Sequence, residues 1–352
     1  MKYLFIDGNN LGIRASFANS SLTSLEGVPS GMHYGFLSSI LSIKNKFPDH
    51  KMVIAWDSKS KRRIEESENA NNLGKIPSVY KANRKKDELP EPLRNFYEQS
   101  TYLKKGLGKL GIPQIKIDGY EADDVIASYV TQLKDMSEEI IILTSDADYY
   151  QLLDKNVFIY DGMKNVLIDL DHLQNLYGVN SEEFVHGCSI MGDDGDNIFG
   201  VPGWGDKKAM EEIKKHKTFD KVIDFYDSKY KDLRGKHPDL NTLDEGKSKF
   251  EELNNVTFGS GRAKYKNIYY DMPYSGVLYA YEKGDVKINK SHIMLLCFQD
   301  VIRLAYSLKK MDLDIILPII PEIKGDKDKF LEYLDYYDME SLKYSFDDFF
   351  NK

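Results

Sequence analysis

Acidic residues cluster at several points in this 352-residue chain, with a spacing that suits the binding of divalent metal ions. Asp7 ends the first short apolar run, and Asp57 follows the second. Further acids stand at the start of a predicted helix and after another apolar run: Glu121, Asp123 and Asp124, then Asp146 and Asp148. Converging carboxylates repel one another unless cations neutralise them, and hard oxygen ligands select Mg²⁺ or Mn²⁺. Two such ions could clamp the attacking and leaving oxygens of a phosphoryl displacement, so the pattern favours a two-metal phosphodiesterase.

Each acidic group, taken alone, can also be explained as a helix cap. Carboxylates are favoured in the first turn of a helix because they accept free backbone N–H groups and complement the macrodipole. The triplet at 121–124 would by itself more often be such a cap. Capping does not explain why acids follow the carboxyl ends of successive strands, which all lie at the same edge of one sheet. We therefore prefer the metal hypothesis.

The hydrophobic pattern predicts the elements that position these acids. Short β-rich runs recur along the chain, at residues 3–6, 52–56, 114–117 and 140–143, with weaker ones at 157–160 and 166–168. The stretches between them suit helices, notably at 31–47, 92–110 and 121–133. This alternation predicts an α/β fold whose mostly parallel central sheet carries helices on both faces. Because ligands bind at the carboxyl ends of parallel strands, Asp7 and Asp57 should face one crevice.

Two basic segments could bind phosphates. Residues 57–89 lack apolar periodicity and carry two runs of Lys and Arg, which predicts a long mobile insertion that is either a substrate clamp or a solvated linker. From 181 to 217 the pattern is helix, glycine-rich turn, helix. The glycines let backbone N–H groups approach phosphate oxygens, and Lys207 and Lys208 begin the second helix. The order of glycine, proline and lysine favours a helix–hairpin–helix grip on phosphate over a plain surface turn.

Composition restricts the class of protein. With 41% hydrophobic and 30% charged residues, the chain suits a globular protein of one large or two ordinary domains. No apolar run approaches the roughly 18 residues of a membrane helix, and the acid at Asp7 comes too early for a signal peptide. We therefore expect an intracellular protein without a membrane partner. Cys188 and Cys297 lack metal-ligand spacing and are expected to be reduced thiols in the core.

The motifs together resemble the 5′-nucleases, a family of flap endonucleases, the 5′-3′ exonuclease domain of bacterial DNA polymerase I and free-standing phage homologues. The resemblance covers about residues 1–210 and is carried by six motifs: Ile6-Asp7-Gly8-Asn9-Asn10, Trp56-Asp57, Tyr80-Lys81-Ala82-Asn83-Arg84, Gly119-Tyr120-Glu121-Ala122-Asp123-Asp124, Thr144-Ser145-Asp146-Ala147-Asp148 and the segment 192–205. It implies a PIN-like nuclease core at 1–178 with a basic arch at about 59–100. It further implies a helical region at 179–300, with a helix–three-turn–helix at about 181–217, and leaves an acidic helical tail at 301–352.

The resemblance also implies roles for individual residues. The metal ligands, direct or through water, would be nine carboxylates: Asp7, Asp57, Glu121, Asp123, Asp124, Asp146, Asp148, Asp193 and Asp196. Asp194 is left out of this set. The catalytic cations that steady the scissile phosphate would be Lys81 and Arg84, and Tyr80 would stack on the terminal base. Other nucleic-acid contacts would come from the arch and the hairpin: Arg62, Arg63, Lys85, Lys86, Gly200, Gly203, Gly205, Lys207 and Lys208. The implied cofactors are two or more Mg²⁺ ions, for which Mn²⁺ could substitute, and K⁺ at the helix–three-turn–helix.

This ligand set accounts for the acidic net charge of −8, which otherwise argues against a nucleic-acid partner. Residues 311–352 contain eleven acids and five bases, so residues 1–310 carry only −2. Without the nine candidate ligands, that part of the chain would carry +7. The expected partners are DNA with 5′ flaps or ends and RNA–DNA hybrids.

The chain departs from the usual family pattern in several places. Trp56-Asp57-Ser58 replaces the more common Phe-Asp-Gly, and a longer polar segment precedes Tyr80. Phe199 and Trp204 stand where Pro and Ile are common. The chain carries no polymerase domain, so it resembles the free-standing, phage-like nucleases. The resemblance implies removal of RNA primers and flaps, and we expect a monomer in the cytoplasm of a bacterial or phage-infected cell. Its tail would pack as a terminal helix or dock to a replication protein.

Two alternatives from other functional classes remain open. One is a structure-specific DNA-binding protein of the same fold that has lost catalysis. The other is a phosphatase of the haloacid dehalogenase type, with Asp7 as nucleophile. That chemistry needs a second acid two residues later, where this chain has Asn9.

Overall fold

The computed structural model describes residues 1–84, 89–258 and 272–350, which fall into two units. The first unit comprises residues 1–60, 85–172 and 311–352, and the second comprises 61–84 and 173–310. The division differs from the predicted one, because 61–84 belongs with the helical region and the acidic tail belongs with the sheet. Lys85 and Lys86, predicted to bind nucleic acid, lie outside the described residues.

The first unit is built on a six-stranded sheet with the order β3-β2-β1-β4-β5-β6. The strands are β1 (Lys2–Asp7), β2 (Lys51–Ala55), β3 (Gln114–Ile115), β4 (Glu139–Leu143), β5 (Val157–Asp161) and β6 (Val166–Ile168). All neighbours pair in parallel except β5 and β6, which form an antiparallel edge ribbon. Strand order reverses at β1, since β2 and β3 extend the sheet on one side and β4 and β5 on the other. The predicted mostly parallel sheet is confirmed.

Helices cover both faces of this sheet. Those of the first unit are α1 (Gly8–Ala18), α2 (Gly31–Lys46), α4 (Glu91–Lys109), α5 (Ala122–Leu133), α14 (Lys327–Tyr336) and α15 (Glu340–Phe350), and α6 (Leu170–Tyr177) spans the boundary between the units. Leu4 and Ile6 of β1 point into one apolar core, while Phe5 stacks on Tyr129 of α5, with 5.6 Å between the ring centroids. All three β1 side chains are fully buried. Burying each contributes roughly 1.5–3 kcal/mol, which fixes the position of Asp7 at the end of the strand.

The second unit is helical in its described part. It contains α3 (Lys61–Asn72), α7 (Ser181–Met191), α8 (Asp206–His216), α9 (Phe219–Lys236), α10 (Gly246–Phe258), α11 (Ser275–Lys283), α12 (Lys290–Cys297) and α13 (Gln299–Lys309). The helix, turn and helix predicted at 181–217 are confirmed by α7 and α8. The prediction of a long irregular insertion is wrong for residues 61–72, which form α3. Ser67 is fully buried, and its hydroxyl accepts the backbone N–H of Tyr80 at 3.1 Å, so this segment has a packed interior of its own.

The acidic tail packs within the first unit. Residues 311–326 run without helix or strand, and α14 and α15 follow. Phe346 is 1% exposed and its ring centroid lies 4.9 Å from that of Phe330 in the core. Phe349 and Phe350 pack against the same core. The terminal-helix prediction therefore agrees with the structure, and the docking alternative loses its apolar anchors.

Two smaller expectations concern membranes and thiols. Within the described ranges, no helix combines the length and apolar character needed to cross a bilayer. Cys188 and Cys297 are both buried free thiols, as predicted.

Candidate metal centre and basic surroundings

Asp7 connects the central strand to the first helix of the site. Its Oδ1 accepts the backbone N–H of Asn10 at 2.9 Å, which caps α1. Its Oδ2 accepts the hydroxyl of Tyr149 at 3.2 Å. The Asp7 residue is 9% exposed. Asp7 therefore both caps α1 and belongs to the candidate metal centre.

Two asparagines after Asp7 hold the neighbouring loops. The side-chain oxygen of Asn9 accepts the backbone N–H of Asp57 at 3.3 Å. The side-chain oxygen of Asn10 accepts the hydroxyl of Ser145 at 3.2 Å. The loops after β2 and β4 are thereby tied to the end of β1, and the acids that follow those strands come to the same edge of the sheet.

The N-terminal turn of α5 supplies three more predicted ligands. Asp57 Oδ1 accepts the backbone N–H of Ala122 at 2.8 Å, which brings this turn beside the loop after β2. Asp123 is half-buried and accepts the backbone N–H of Asp124 at 2.8 Å. Asp124 is fully buried, and its two oxygens accept backbone N–H groups from Glu121 (3.3 Å) and Asp312 (3.0 Å). The simple cap explanation therefore holds for Asp124, whereas the charge of Asp123 also acts on Asp7.

The acids after β4 sit at a short 3-10 helix, Ala147–Leu152. Asp146 caps this helix by accepting the backbone N–H of Asp148 at 2.9 Å, and its side chain is exposed. Tyr149, in the same helix, is fully buried. Sequence reasoning did not assign a function to Tyr149, although its position directly after the Asp146-Ala147-Asp148 motif was the available signal.

The electrostatics show which carboxylates converge. Burial raises the pKa of Asp7 well above its usual range, and the negative charges of Asp57, Asp146 and Asp123 raise it further, against the Asn10 hydrogen bond that lowers it. Burial, followed by the same four carboxylates, raises the pKa of the Tyr149 hydroxyl, which therefore stays a hydrogen-bond donor. Of the predicted ligands in the first unit, Asp7, Asp57, Asp123 and Asp146 thus form one group around Tyr149.

The other predicted ligands of this unit, Glu121, Asp124 and Asp148, are not among the charges with the largest effects on Asp7. Glu121 is 8% exposed at the N-cap of α5, and Asp148 is half-buried. In the described part of the chain, no three His, Cys, Asp or Glu side chains already form a set that could hold an ion. Side-chain rotations would therefore have to accompany metal binding. The donor set still fits Mg²⁺, because it consists of carboxylates whose mutual repulsion a cation would relieve.

The remaining two predicted ligands, Asp193 and Asp196, follow α7 in the second unit. Asp193 Oδ2 accepts the ammonium of Lys309 at 2.5 Å, and Lys309 is 6% exposed. Burial alone would raise the pKa of Asp193, but the charge and hydrogen bond of Lys309, together with the backbone N–H groups of Asp196 and Gly195, outweigh it and lower that pKa. Asp196 pairs with Arg84 Nη2 at 2.5 Å and with Lys81 Nζ at 3.6 Å. The predicted catalytic cations are thus held together on one carboxylate, and Lys309 is a cation that sequence reasoning missed.

The structure does not support base stacking by Tyr80. The residue is 7% exposed and its ring packs in a small apolar cluster with Ile198, Ala305 and Leu308. Its hydroxyl donates to Asp196 Oδ2 at 3.1 Å. Tyr80 positions Asp196 in this structure, so the stacking assignment is corrected.

Arg62 and Arg63 are also corrected as nucleic-acid contacts. The Arg62 guanidinium donates to the carbonyl oxygens of Ser307 (2.6 Å) and Lys310 (2.9 Å), and Arg63 Nε donates to that of Leu308 (2.8 Å). Arg63 is 1% exposed. Both arginines therefore cap the C-terminal end of α13, where orphan carbonyls and the negative end of the macrodipole favour cations.

The hairpin between α7 and α8 keeps its predicted form. A Cβ at Gly200 would lie 2.0 Å from the Met191 carbonyl oxygen, so only glycine fits there. Gly203 has φ +82°, and open space surrounds both Gly203 and Gly205. Lys207 is exposed beside the N-terminus of α8. These three positions suit a phosphate, which is attracted to helix N-termini.

Lys208, by contrast, is turned toward the protein. Its ammonium lies 4.3 Å from the centroid of the Trp204 ring and bonds to the hydroxyl of Ser291. The indole N–H of Trp204 donates to the Ser291 carbonyl at 2.9 Å. Lys208 therefore helps to fix the hairpin on α12, and Lys207 is the better placed cation for a phosphate.

Arg14 on α1 is a further candidate that sequence reasoning did not select. It lies one turn beyond Asn10 on the same helix face. Its Nε is buried and finds no hydrogen-bond acceptor among the described residues. Burial lowers the pKa of Arg14, and the charge of Asp161 opposes this effect. Because its Nε has no acceptor among the described residues, Arg14 is a candidate to donate a hydrogen bond to a phosphate oxygen.

Comparison with known proteins decides the family. Residues 2–178 match the family model described as the 5′-3′ exonuclease, N-terminal resolvase-like domain. The chain belongs to this family. The 5′-3′ exonuclease of Buchnera aphidicola subsp. Schizaphis graminum is 34% identical over 213 residues, covering 60% of this chain and 69% of the relative. DNA polymerase I of Caldicellulosiruptor bescii is 33% identical over 245 residues, which cover 67% of this chain but only 27% of the polymerase.

Solved structures agree on the fold. A T5 protein co-crystallised with metal ions is 25% identical, with a TM-score of 0.50 over 64% of this chain and 78% of that one. T5 5′-exonuclease with bound zinc gives a TM-score of 0.50 at 22% identity, covering 87% of this chain and all of that one. The catalytic core of Rad2 in complex with a DNA substrate gives 0.53 at 15% identity, covering 99% and 92%. The chain therefore has the PIN-like 5′-nuclease fold, and its membership of the 5′-3′ exonuclease family overturns the phosphatase alternative.

Proposed function

We propose that this 5′-nuclease family member is a Mg²⁺-dependent 5′-3′ exonuclease and flap endonuclease that removes RNA primers and flaps during DNA replication and repair. The observation that carries the proposal is the convergence of Asp7, Asp57, Asp123 and Asp146 at the carboxyl edge of the sheet, next to the position where strand order reverses. Ligands of parallel α/β sheets bind at that position.

The protein's own side chains support a requirement for a divalent cation there. Asp7 is buried beside three other carboxylates, and burial without a counter-charge disfavours its ionised form. Mg²⁺ bound by these carboxylates would supply an activated water and stabilise the leaving oxyanion, and two ions are typical of the family. Tyr149 donates to Asp7 and so fixes one oxygen of the ligand. Because that hydroxyl stays protonated, it orients Asp7 without adding a competing negative charge.

Lys81 and Arg84, which belong to the second unit, are the proposed phosphate-binding cations. In the structure both contact the carboxylate of Asp196. A phosphodiester offers the same kind of charge-assisted hydrogen bond. We expect the two cations to exchange Asp196 for the scissile phosphate when the substrate binds, which leaves Asp196 available to a metal ion.

Several finer expectations stay predictions. They are the use of RNA–DNA hybrids as substrate, K⁺ at the hairpin between α7 and α8, a monomeric state and a cytoplasmic location. A replication protein that recognises the tail would have to use its exposed side chains, such as Tyr344, which is 82% exposed.

The test compares four substrates under identical conditions with Mg²⁺: a 5′ flap, a nicked duplex, an RNA–DNA hybrid and a closed circular single strand. We expect cleavage of the first three, and cutting of the closed circle would exclude obligatory threading of a free end. Asp146→Asn should lower the rate at least about a hundredfold, because loss of even an outer partner of a metal costs 10–100-fold. Asp194→Asn is the matched control, since Asp194 is an exposed acid outside the ligand set.

The catalytically silent alternative predicts a different result. Tight binding of the flap without any cleavage would support a DNA-binding protein and refute the proposed enzyme. Equal cleavage by the wild type and Asp146→Asn would refute the metal assignment while keeping the nuclease.

A further inference from the structure

The segment that begins at Met311 runs along α5 as a strap, defined here as residues 311–318. The hydroxyl of Ser128 donates to the carbonyl of Asp312 at 2.8 Å and accepts the N–H of Ile315 at 3.3 Å. The hydroxyl of Tyr129 donates to the carbonyl of Pro318 at 2.6 Å. Met311 and Ile315 are 2% and 5% exposed, so apolar burial fixes the strap as well as hydrogen bonds do.

The first two residues of the strap also hold both elements that carry acids of the metal centre. The N–H of Asp312 donates to Asp124 Oδ1 at 3.0 Å, at the N-terminal turn of α5. The N–H of Met311 donates to Gln151 Oε1 at 3.1 Å, in the 3-10 helix 147–152. Gln151 Nε2 in turn donates to the carbonyl of Asp148 at 2.9 Å. Two consecutive backbone N–H groups therefore link the turn that carries Asp123 to the helix that Asp146 caps.

The chemistry of these two acceptors suits a structural link. Asp124 is fully buried, and its second oxygen accepts the N–H of Glu121 at 3.3 Å. Gln151 carries no charge. Its amide oxygen accepts a hydrogen bond from the strap, and its amide nitrogen donates one to the 3-10 helix. A side chain that bridges backbone groups in this way restrains the elements it joins and leaves the coordination of metal to other carboxylates.

We propose that Asp124 and Gln151 are positioning residues, which use the strap to set the spacing between Asp123 and Asp146 and thereby the affinity for divalent metal. The inference rests on the proposed function, because it assumes that these carboxylates bind metal. Metal sites require their ligands within about 0.5 Å of the productive geometry, so a link between ligand-bearing elements acts on affinity. Outer partners of metal ligands typically change affinity 10–100-fold when they are removed.

Mn²⁺ titration of the full chain by calorimetry, without nucleic acid, tests the proposal. Gln151→Met preserves side-chain volume but cannot accept the Met311 N–H, and we expect about tenfold weaker Mn²⁺ binding. Gln132→Met is the matched control. Gln132 also bonds the strap, donating to the Ile315 carbonyl at 3.4 Å, but it lies at the far end of α5 from the acids. Gln132 is exposed and its bond is longer, so Gln132→Met should cost less stability to urea than Gln151→Met, and only Gln151→Met should lose metal affinity.

A double-mutant cycle separates positioning from direct ligation by Asp124. If Asp124 and Gln151 act through the same strap, their effects should overlap. The factor by which Mn²⁺ affinity falls in the double variant Asp124→Asn with Gln151→Met should then be smaller than the product of the factors for the two single variants. Losses that multiply would assign Asp124 to the metal and overturn its positioning role. The inference would be overturned if Gln151→Met bound Mn²⁺ within twofold of the wild type, or if Gln132→Met lost as much Mn²⁺ affinity as Gln151→Met. Either result would leave the nuclease proposal intact. A wild-type chain that binds no Mn²⁺ would refute both.

Discussion

Replacing Arg63 by Met distinguishes the structural role of this arginine from the nucleic-acid role predicted for it. Arg63 is 1% exposed and donates to the Leu308 carbonyl at the end of α13. A hydrogen bond from a charged donor contributes about 1.5–3 kcal/mol, and the stranded carbonyl adds part of its desolvation cost. Methionine retains most of the apolar packing of the side-chain stem. We therefore expect the free energy of unfolding to fall by about 2–3 kcal/mol in total.

The assay pairs urea unfolding with binding of a 5′ flap duplex at several salt concentrations. For a unit of this size, the loss corresponds to a fall in melting temperature of roughly 4–12 °C, at about 2–4 °C per kcal/mol. DNA affinity and its salt dependence should not change, because the guanidinium does not reach solvent. Lys207→Met is the matched control. Its ammonium is exposed beside the α8 N-terminus, so stability should hold while the salt slope falls by about 0.9, as for one lost phosphate contact.

The opposite pattern would refute this reasoning. If Arg63→Met unfolds at the same urea concentration as the wild type but loses one unit of salt slope, then Arg63 faces phosphate in solution. The segment 61–84 would then have to leave its packed position, and the arch predicted from the sequence would be the better description.

Three further predictions follow from other buried groups. Tyr149→Phe should weaken Mn²⁺ binding about tenfold in calorimetry, because Asp7 loses a hydroxyl that orients it; unchanged affinity would contradict this role. Burial lowers the pKa of His33 to about 4. The folded state then binds fewer protons than the unfolded state, so stability is complete above pH 6.5 and falls toward pH 4, by about 2.5 kcal/mol between pH 7.5 and 4.5. Urea unfolding of His33→Gln should lack this component. Arg14→Gln should reduce the salt slope of flap binding by about 0.9, whereas Arg303→Gln, whose guanidinium is already ion-paired, should not; equal slopes would remove Arg14 from the interface.

The sequence by itself determined the sheet and the identity of the acids at its edge. Strand exits at Asp7 and Asp57 could be recognised because buried strands leave a strong apolar pattern, and parallel strands bring their carboxyl ends together. The helix, glycine-rich hairpin and helix near residue 200 were also predictable, because a glycine-rich turn separates two helical patterns. Gly200 is required by a close backbone approach that no other residue permits.

Only the tertiary structure decided which carboxylate of each acidic group lies close to the carboxylates of the other groups. Asp123 and Asp124 are neighbours in the sequence, yet Asp124 is buried against backbone N–H groups, one of them from Asp312. A partner 188 residues away leaves no local pattern in the sequence.

The basic residues show even more strongly that the sequence alone does not reveal long-range partners. Arg62 and Arg63 are adjacent cations in a polar segment, and charge alone suggested a phosphate-binding surface. The structure buries Arg63 and turns both guanidinium groups to the carbonyl groups at the end of α13. Periodicity reports which side chains are apolar, but a buried cation depends on where unpaired carbonyls lie. The packing of α13 beside α3 sets those positions, so only the folded chain could reveal this role.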